Sequence, residues 1–332
     1  MDDYNGFRGN GNWYKGNIQS HTTVSDGMLE PEEAVNKYRD HGFSFLALSD
    51  HDIFTDFRER FDTEDFITIP ATEASVNLFT REGSVDRYKV HHLLGLMGTK
   101  EMQDAAPDGV YKHLQSIPPL QLYGEWDGQE VAQQTADMLM RHGCVTTYNH
   151  PGWSRVTEED FIHTEGLSAL EIFNFNTVWE SNTGFDCGSW DRMLRMGRKI
   201  NGFASDDNHN EGLFEDSCGG WICVNAPDLS HDSIIQNFID GNYYSSSGPE
   251  IYNWGVKDGK VWADTSSVNR VNFICGNYIN DGWMTFDSWY EDTITHAEYT
   301  LKGHETYVRV EATDKFGRTA CQNQSTLDKE TV

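Results

Sequence analysis

Positive charge is scarce in this chain. Its 332 residues hold 25 Lys and Arg against 53 Asp and Glu, a formal net charge of −28. A field of that sign repels nucleic-acid polymers and anionic membranes, so neither is expected as a partner, and it attracts cations. Long apolar runs are missing as well. No stretch approaches the roughly 18 residues of a membrane-spanning helix. Cysteine is sparse: Cys144, Cys187, Cys218, Cys223, Cys275 and Cys321 include no Cys-x-x-Cys pair. A chain of this length needs no disulfide staples, so free, partly buried thiols are expected. Met1-Asp2-Asp3-Tyr4 lacks the basic start and apolar run of a signal peptide. A cytoplasmic location is the default expectation, although a leader already removed would leave no trace. Internal repeats and low-complexity tracts are absent.

What is present is core material. Hydrophobic residues make up 37% and aromatics 13%, including ten Trp. That excludes a disordered chain. At roughly 100–200 residues per domain, about two domains are expected. Residues 13 to 245 alternate short apolar strands with helical stretches. The pattern predicts strands at Trp13–Gln19, Phe43–Leu48, Phe66–Ala71, Val90–Leu96, Val145–Tyr148, Ala169–Phe173 and Asn201–Ala204. Helices are predicted at Pro31–His41, Gly128–His142 and Asp186–Gly197. Such alternation points to an α/β fold, a parallel sheet or barrel. After Gly248-Pro249 short strands split by turns take over, at Ile251–Trp254, Lys260–Ala263, Val271–Cys275, Ala297–Leu301 and Thr306–Ala312. They read as a small antiparallel β-sandwich. The division is therefore 1–248 and 249–332.

Metal-ligand residue types recur where strands end. His21 and Asp26 follow the first strand, Asp50-His51 follow FSFLALS, and Glu73 follows ITIPAT. His150-Pro151 follow VTTYN, and Asp206-Asp207-Asn208-His209 follow GFAS. In barrels, groups at the carboxyl ends of strands converge on one face. Imidazole and carboxylate together suit Zn, Mn or Fe, and a carboxylate such as Glu73 can bridge two ions. His91 and His92 are neighbours on a strand and point to opposite faces, so at most one faces the site. The remaining histidines have no strand-end partner and read as structural.

In order along the chain, these residues resemble the motifs of the PHP (polymerase and histidinol phosphatase) superfamily. The first motif, His-x-His then Thr-x-x-Ser-Asp-Gly, is matched by Gln19-Ser20-His21-Thr22-Thr23-Val24-Ser25-Asp26-Gly27. The second is matched by Ser49-Asp50-His51, the bridging glutamate by Glu73, and His-Leu-Leu-Gly by His92-Leu93-Leu94-Gly95. His150-Pro151 and Asp207-Asn208-His209 match the last two. Glu171-Ile172-Phe173-Asn174 and Gly241–Glu250 are similar to segments of bacterial members carrying a small C-terminal β domain. The resemblance covers roughly residues 13 to 250. It implies a distorted (β/α)7 barrel, here followed by the β-sandwich, and a metal-dependent phosphoesterase. Three metal positions are implied: Gln19, His21, Glu73 and Asp207; Glu73, His92 and His150; and Asp26, His51 and His209. Gln19 stands where the family has a histidine, and a neutral amide is the poorer donor. Two or three divalent transition ions (Mn, Fe or Zn) are therefore expected.

The expected activity is metal-assisted hydrolysis of a small phosphorylated molecule or nucleotide, with His21, Asp26, His51, Glu73, His150, Asp207 and His209 as the catalytic set. Arg155 and Asn174 are candidate substrate contacts, and Trp153 or Trp179 could stack on a base or sugar. No Gly-rich phosphate loop and no Lys/Arg cluster accompanies the ligands. Two alternatives stay open: hydrolysis of a non-phosphate substrate such as a carbohydrate or amide, and a catalytically degenerate metal-binding protein marked by Gln19. The sequence assigns no oligomeric state.

Overall fold

The computed structural model describes residues 3–7, 11–323 and 325–326. Among these, seven strands lie side by side in chain order: β1 (Asn12–Asn17), β2 (Phe45–Leu48), β3 (Ile67–Phe79), β4 (Arg87–Met97), β5 (Cys144–Tyr148), β6 (Leu167–Asn174) and β7 (Asn201–Ser205). Strands β1 to β3 are parallel, as are β5 to β7. Strand β4 runs antiparallel to both neighbours. The all-parallel pattern expected from alternation breaks here because β3 reaches β4 through a hairpin rather than a helical crossover. Just beyond β1 and β7 the chain forms a parallel bridge between Ser20 and Asn208. There the His21 N–H donates to the Asn208 carbonyl and the Asp207 N–H to that of Gln19, both at 3.1 Å. The sheet therefore curls until its two ends meet. Phe45, Ile69, Leu96, Val145, Ala169 and Phe203, one from each of β2 to β7, join one apolar cluster.

Helices cover the outside. Helix α1 (Pro31–Asp40) opens with Pro31, whose missing N–H is harmless in the first turn, and with a Glu30–Glu33 capping box. It buries Ala34, Val35 and Tyr38 against Phe43, Leu46 and Leu48. Gly42, at φ +76°, lets the chain turn directly into β2. Helix α2 (Gly128–Arg141) is capped by the Asp127 carboxylate, which accepts from the Glu130 N–H. Its Ala132, Ala136 and Leu139 are fully buried and pack with Leu93 and Tyr148. Truncating Leu139 to Ala would cost about 2–5 kcal/mol by leaving a cavity. Helix α3 (Cys187–Arg195) buries Trp190, Met193 and Leu194 in the same cluster.

Strand β8 (Trp221–Ala226) pairs antiparallel with the free edge of β1, and β9 (Tyr243–Ser246) with β8, joined by α4 (His231–Ile239). Next come β10 (Ile251–Lys257), β11 (Lys260–Val268), β12 (Arg270–Cys275), β13 (Trp283–Phe286), β14 (Ile294–Thr300), β15 (Tyr307–Thr313) and β16 (Thr319–Gln322). Strands β10, β11 and β14 join Tyr4–Asn5 in a separate four-stranded sheet. Strand β16 adds to β9, so β16, β15, β12 and β13 continue the large sheet. The two layers share a core that includes Trp254, Val261, Val271, Phe273 and Val310. Arg309, 2% exposed, links β15 to α3: its Nε and Nη2 donate to Asp191 at 2.8 and 2.9 Å. No helix among the described residues is long and apolar enough to cross a membrane.

Candidate metal centre

The turn after β1 carries His21 and Asp26, and its geometry is built by Asp50. One Asp50 carboxylate oxygen accepts from the Thr22 and Ser25 N–H groups at 2.8 and 3.2 Å and from both hydroxyls. At Gly27 a Cβ would lie 2.4 Å from the His21 carbonyl, so the tight return of this turn requires glycine. Asp206 does similar work on the far side. Its buried carboxylate accepts from the Cys218, Gly219 and Gly220 N–H groups, the Tyr38 hydroxyl and the Asn17 amide. Asp50 and Asp206 thus shape the loops that present their neighbours. His150 and Asp207 have φ of +28° and +54°, sparsely populated conformations for non-glycine residues and of the kind held at functional sites.

These elements bring the predicted ligands to one point. Glu73 is fully buried at its centre. It was expected at a strand end but sits mid-strand in β3, which runs on as a hairpin arm to Phe79. Its Oε2 lies 3.1 Å from His21 Nε2 and 3.5 Å from His51 Nδ1. Its Oε1 lies 3.3 Å from His150 Nε2 and 3.6 Å from His92 Nδ1. Asp207 Oδ1 is 2.8 Å from His21 Nε2, and Oδ2 is 3.7 Å from His150 Nε2. Asp26, whose side chain is 56% exposed, stands at the mouth, 3.6 Å from His209 Nε2 and 3.8 Å from His51 Nε2. The His21 ring stacks against those of His51 and His209, at 4.3 and 4.4 Å. His91 faces away, onto Trp126 and Tyr148.

Electrostatics follow from this crowding. Burial would raise the Glu73 carboxyl, yet the four imidazoles around it hold it well below the usual range. Burial and the neighbouring His21 push His51 down to about 4, and burial holds His92 well below its ordinary value. His150 goes the other way: burial opposes its charge, but Glu73 and Asp207 bring it up to about 9. Three buried ring nitrogens here have no hydrogen-bond partner among the described residues: His21 Nδ1, His51 Nδ1 and His92 Nε2. A native interior rarely leaves polar atoms orphaned unless something else binds them, and neutral imidazoles beside a carboxylate are a donor set for a divalent ion. Donor atoms of His21, Glu73 and Asp207 lie within 4.8 Å of one another, as do those of His51, Glu73 and His92.

No protein-family model and no curated protein matches this chain. Solved structures do, at low identity. A two-domain protein from Bacteroides vulgatus, containing a predicted PHP-like metal-dependent phosphoesterase, is 11% identical, with a TM-score of 0.45, over 92% of this chain and 91% of its own. An amidohydrolase from Chromobacterium violaceum, with bound sulfate and no metal, is 14% identical, with a TM-score of 0.39, over 69% of this chain and 96% of its own.

The motif residues named from the sequence do meet in one pocket. The chain departs from those motifs at Gln19. The Gln19 amide Nε2 donates to Glu73 Oε1 at 3.0 Å, while its carbonyl accepts from Ser205 Oγ at 3.0 Å. Asn149 also donates to Glu73 Oε1, at 2.7 Å, and Asn174 to Asp207 Oδ2, at 3.0 Å. Gln19 therefore turns an N–H, not a lone pair, toward the histidine cluster. Glu171, buried beneath, contacts Ser205 Oγ and accepts from the His150 N–H; burial raises it to about 8.

The cluster opens into a cavity of about 510 Å³ lined by Asp26, His51, His92, His150, Trp153, Asp207 and His209. Trp153 is on its wall, with Nε1 donating to Glu180 at 2.7 Å. Arg155 is exposed and Trp179 is 60% exposed, and neither lines this cavity. Asn174 is buried under Asp207 and caps the helix that follows it. The lining includes one cation that sequence reasoning passed over, Arg87 at the start of β4, 5.9 Å from the Trp153 ring. Nothing local marked it, because only the β3–β4 hairpin places it there. Asn149 and Ser205 were also missed, though each lies beside a motif.

Proposed function

We propose that this chain is a metal-dependent hydrolase of the PHP superfamily acting on a phosphoester of a small molecule or nucleotide. In this reading the curled sheet of β1 to β7 is a distorted (β/α)7 barrel, and the strands after residue 248, with Tyr4–Asn5 in their four-stranded sheet, form a β-sandwich packed on it. The observation that carries the reading is the set of orphaned donor atoms around buried Glu73. Divalent Mn, Fe or Zn would be held at Glu73, His92 and His150 and at Asp26, His51 and His209. A third position, at His21, Glu73 and Asp207, lacks a lone pair from Gln19 and is the weakest. Bound there, such ions supply Lewis acidity, an acidified water and charge neutralisation at phosphate oxygens.

The chain's own groups do the rest. His51 and His92 stay neutral, so their ring nitrogens remain available as ligands. Arg87 offers the guanidinium that a phosphate oxygen pair matches, beside the flat face of Trp153. Six carboxylates on the same wall, including Glu180 and Glu211, repel extended polyanions and favour a small substrate.

The test is turnover of p-nitrophenyl phosphate, bis-p-nitrophenyl phosphate and nucleotides by protein reconstituted with manganese, iron or zinc. Metal-dependent release that disappears in His150→Ala is expected. Loaded, folded protein that hydrolyses no phosphoester would refute the substrate class and turn the search to glycans and amides.

A further inference from the structure

A second cluster of metal-binding types lies outside the histidine centre. Cys187 is the first residue of α3. Glu311 and Cys321 face each other across the β15–β16 pair. One donor atom from each of the three lies within 4.8 Å of the other two. All three line a separate cavity of about 700 Å³ that shares no lining residue with the first.

We propose that Cys187, Cys321 and Glu311 bind one zinc ion, which fastens α3 to β15 and β16 of the large sheet. Two thiols and a carboxylate suit a borderline-soft divalent ion, and a tetrahedral site needs one more ligand, which water from the cavity supplies. Binding replaces two S–H protons, which leave to solvent, so affinity rises with pH. The carboxylate is already oriented. Arg309 bonds Glu311 on one side and Asp191 of α3 on the other, as outer partners commonly fix a ligand. The two thiols already contact each other, and Cys187 Sγ also makes a 3.9 Å contact to the Ile172 carbonyl. This site is independent of the phosphoesterase reading, because it uses none of the same residues.

Cobalt distinguishes the two centres, since only sulfur ligation gives a thiolate-to-cobalt charge-transfer band. Reduced full-length protein titrated with cobalt should show that band. It should be lost in Cys187→Ser and in Cys321→Ser and kept in His150→Ala, with bound zinc falling by one per chain in each serine variant. No band in folded wild type at saturating cobalt, or a band that survives both serine substitutions, would overturn the proposal. If a serine variant does not fold, alkylation mapped by mass spectrometry on the wild type decides. Zinc must slow modification of Cys187, and unchanged labelling refutes the site.

Discussion

Replacing Gln19 with histidine would put a fifth imidazole beside Glu73, and the structure sets what that does. Gln19 is fully buried, with both amide groups engaged. Without metal, Gln19→His removes a hydrogen bond to the charged Glu73, worth about 1.5–3 kcal/mol, and the Ser205 contact, worth about 0.5–1.5 kcal/mol. The metal-free variant should therefore be less stable by about 2–4 kcal/mol, roughly 4–8 °C in Tm. With manganese the sign reverses. An imidazole lone pair completes a set already holding His21, Glu73 and Asp207, so bound metal should rise from two ions per chain to three, and Tm should gain more from metal than wild type does. Elemental analysis and thermal melts with and without manganese measure both halves. A variant as stable as wild type when stripped, with an unchanged ion count, would refute the view that Gln19 braces Glu73 and weakens the first position.

Other expectations follow from the same geometry. In stripped protein, Glu171 and His150 have folded pKa values raised to about 8 and about 9, above ordinary values of 4.5 and 6.5. Their stabilisation is complete below those ordinary values and is lost as pH rises through the raised ones, while the depressed His51 and His92 give the opposite slope only below about pH 6.5, so Tm of the metal-free protein should fall between about pH 7 and 9; a flat or rising profile there contradicts the assignment. Arg87→Ala should raise KM for a phosphomonoester by roughly tenfold, equivalent to about 1.4 kcal/mol, while Arg155→Ala leaves it unchanged; steady-state kinetics separates them. Arg309→Ala strands Asp191 and Glu311 at a buried seam and should destabilise by at least about 3 kcal/mol in chemical denaturation; a loss below 1 kcal/mol would show that this pair adds little.

The sequence carried the ligand set because each ligand is a chemically distinctive side chain in or beside an apolar strand. Local patterning read β2, β5 and β7 to within two residues, since near-continuous apolar runs are what doubly buried strands require. It failed where pairing is decided at long range. Glu73 looked terminal because Thr72 and Glu73 interrupt an apolar run, yet hydrogen bonding to β4 carries the strand through them. Strand β16 was not anticipated: four residues, Thr319 to Gln322, make sense as a strand only once β9 and β15 flank them. The contacts of Asn149, Ser205 and Arg87 were illegible for the same reason, because amides, hydroxyls and a surface arginine gain meaning only from what folds against them.

The pairing of β16 with β9 has a bearing on how the molecule is made. A ribosome delivers β9 more than seventy residues ahead of the strand that covers it. During that interval the nascent chain holds an exposed row of amides along Tyr243–Ser246, an invitation to pair with a neighbouring chain. Fragments ending at residue 248 would keep every histidine of the metal cluster and still be prone to clump, so a soluble minimal version of this protein has to be cut elsewhere or have that edge blunted with charge.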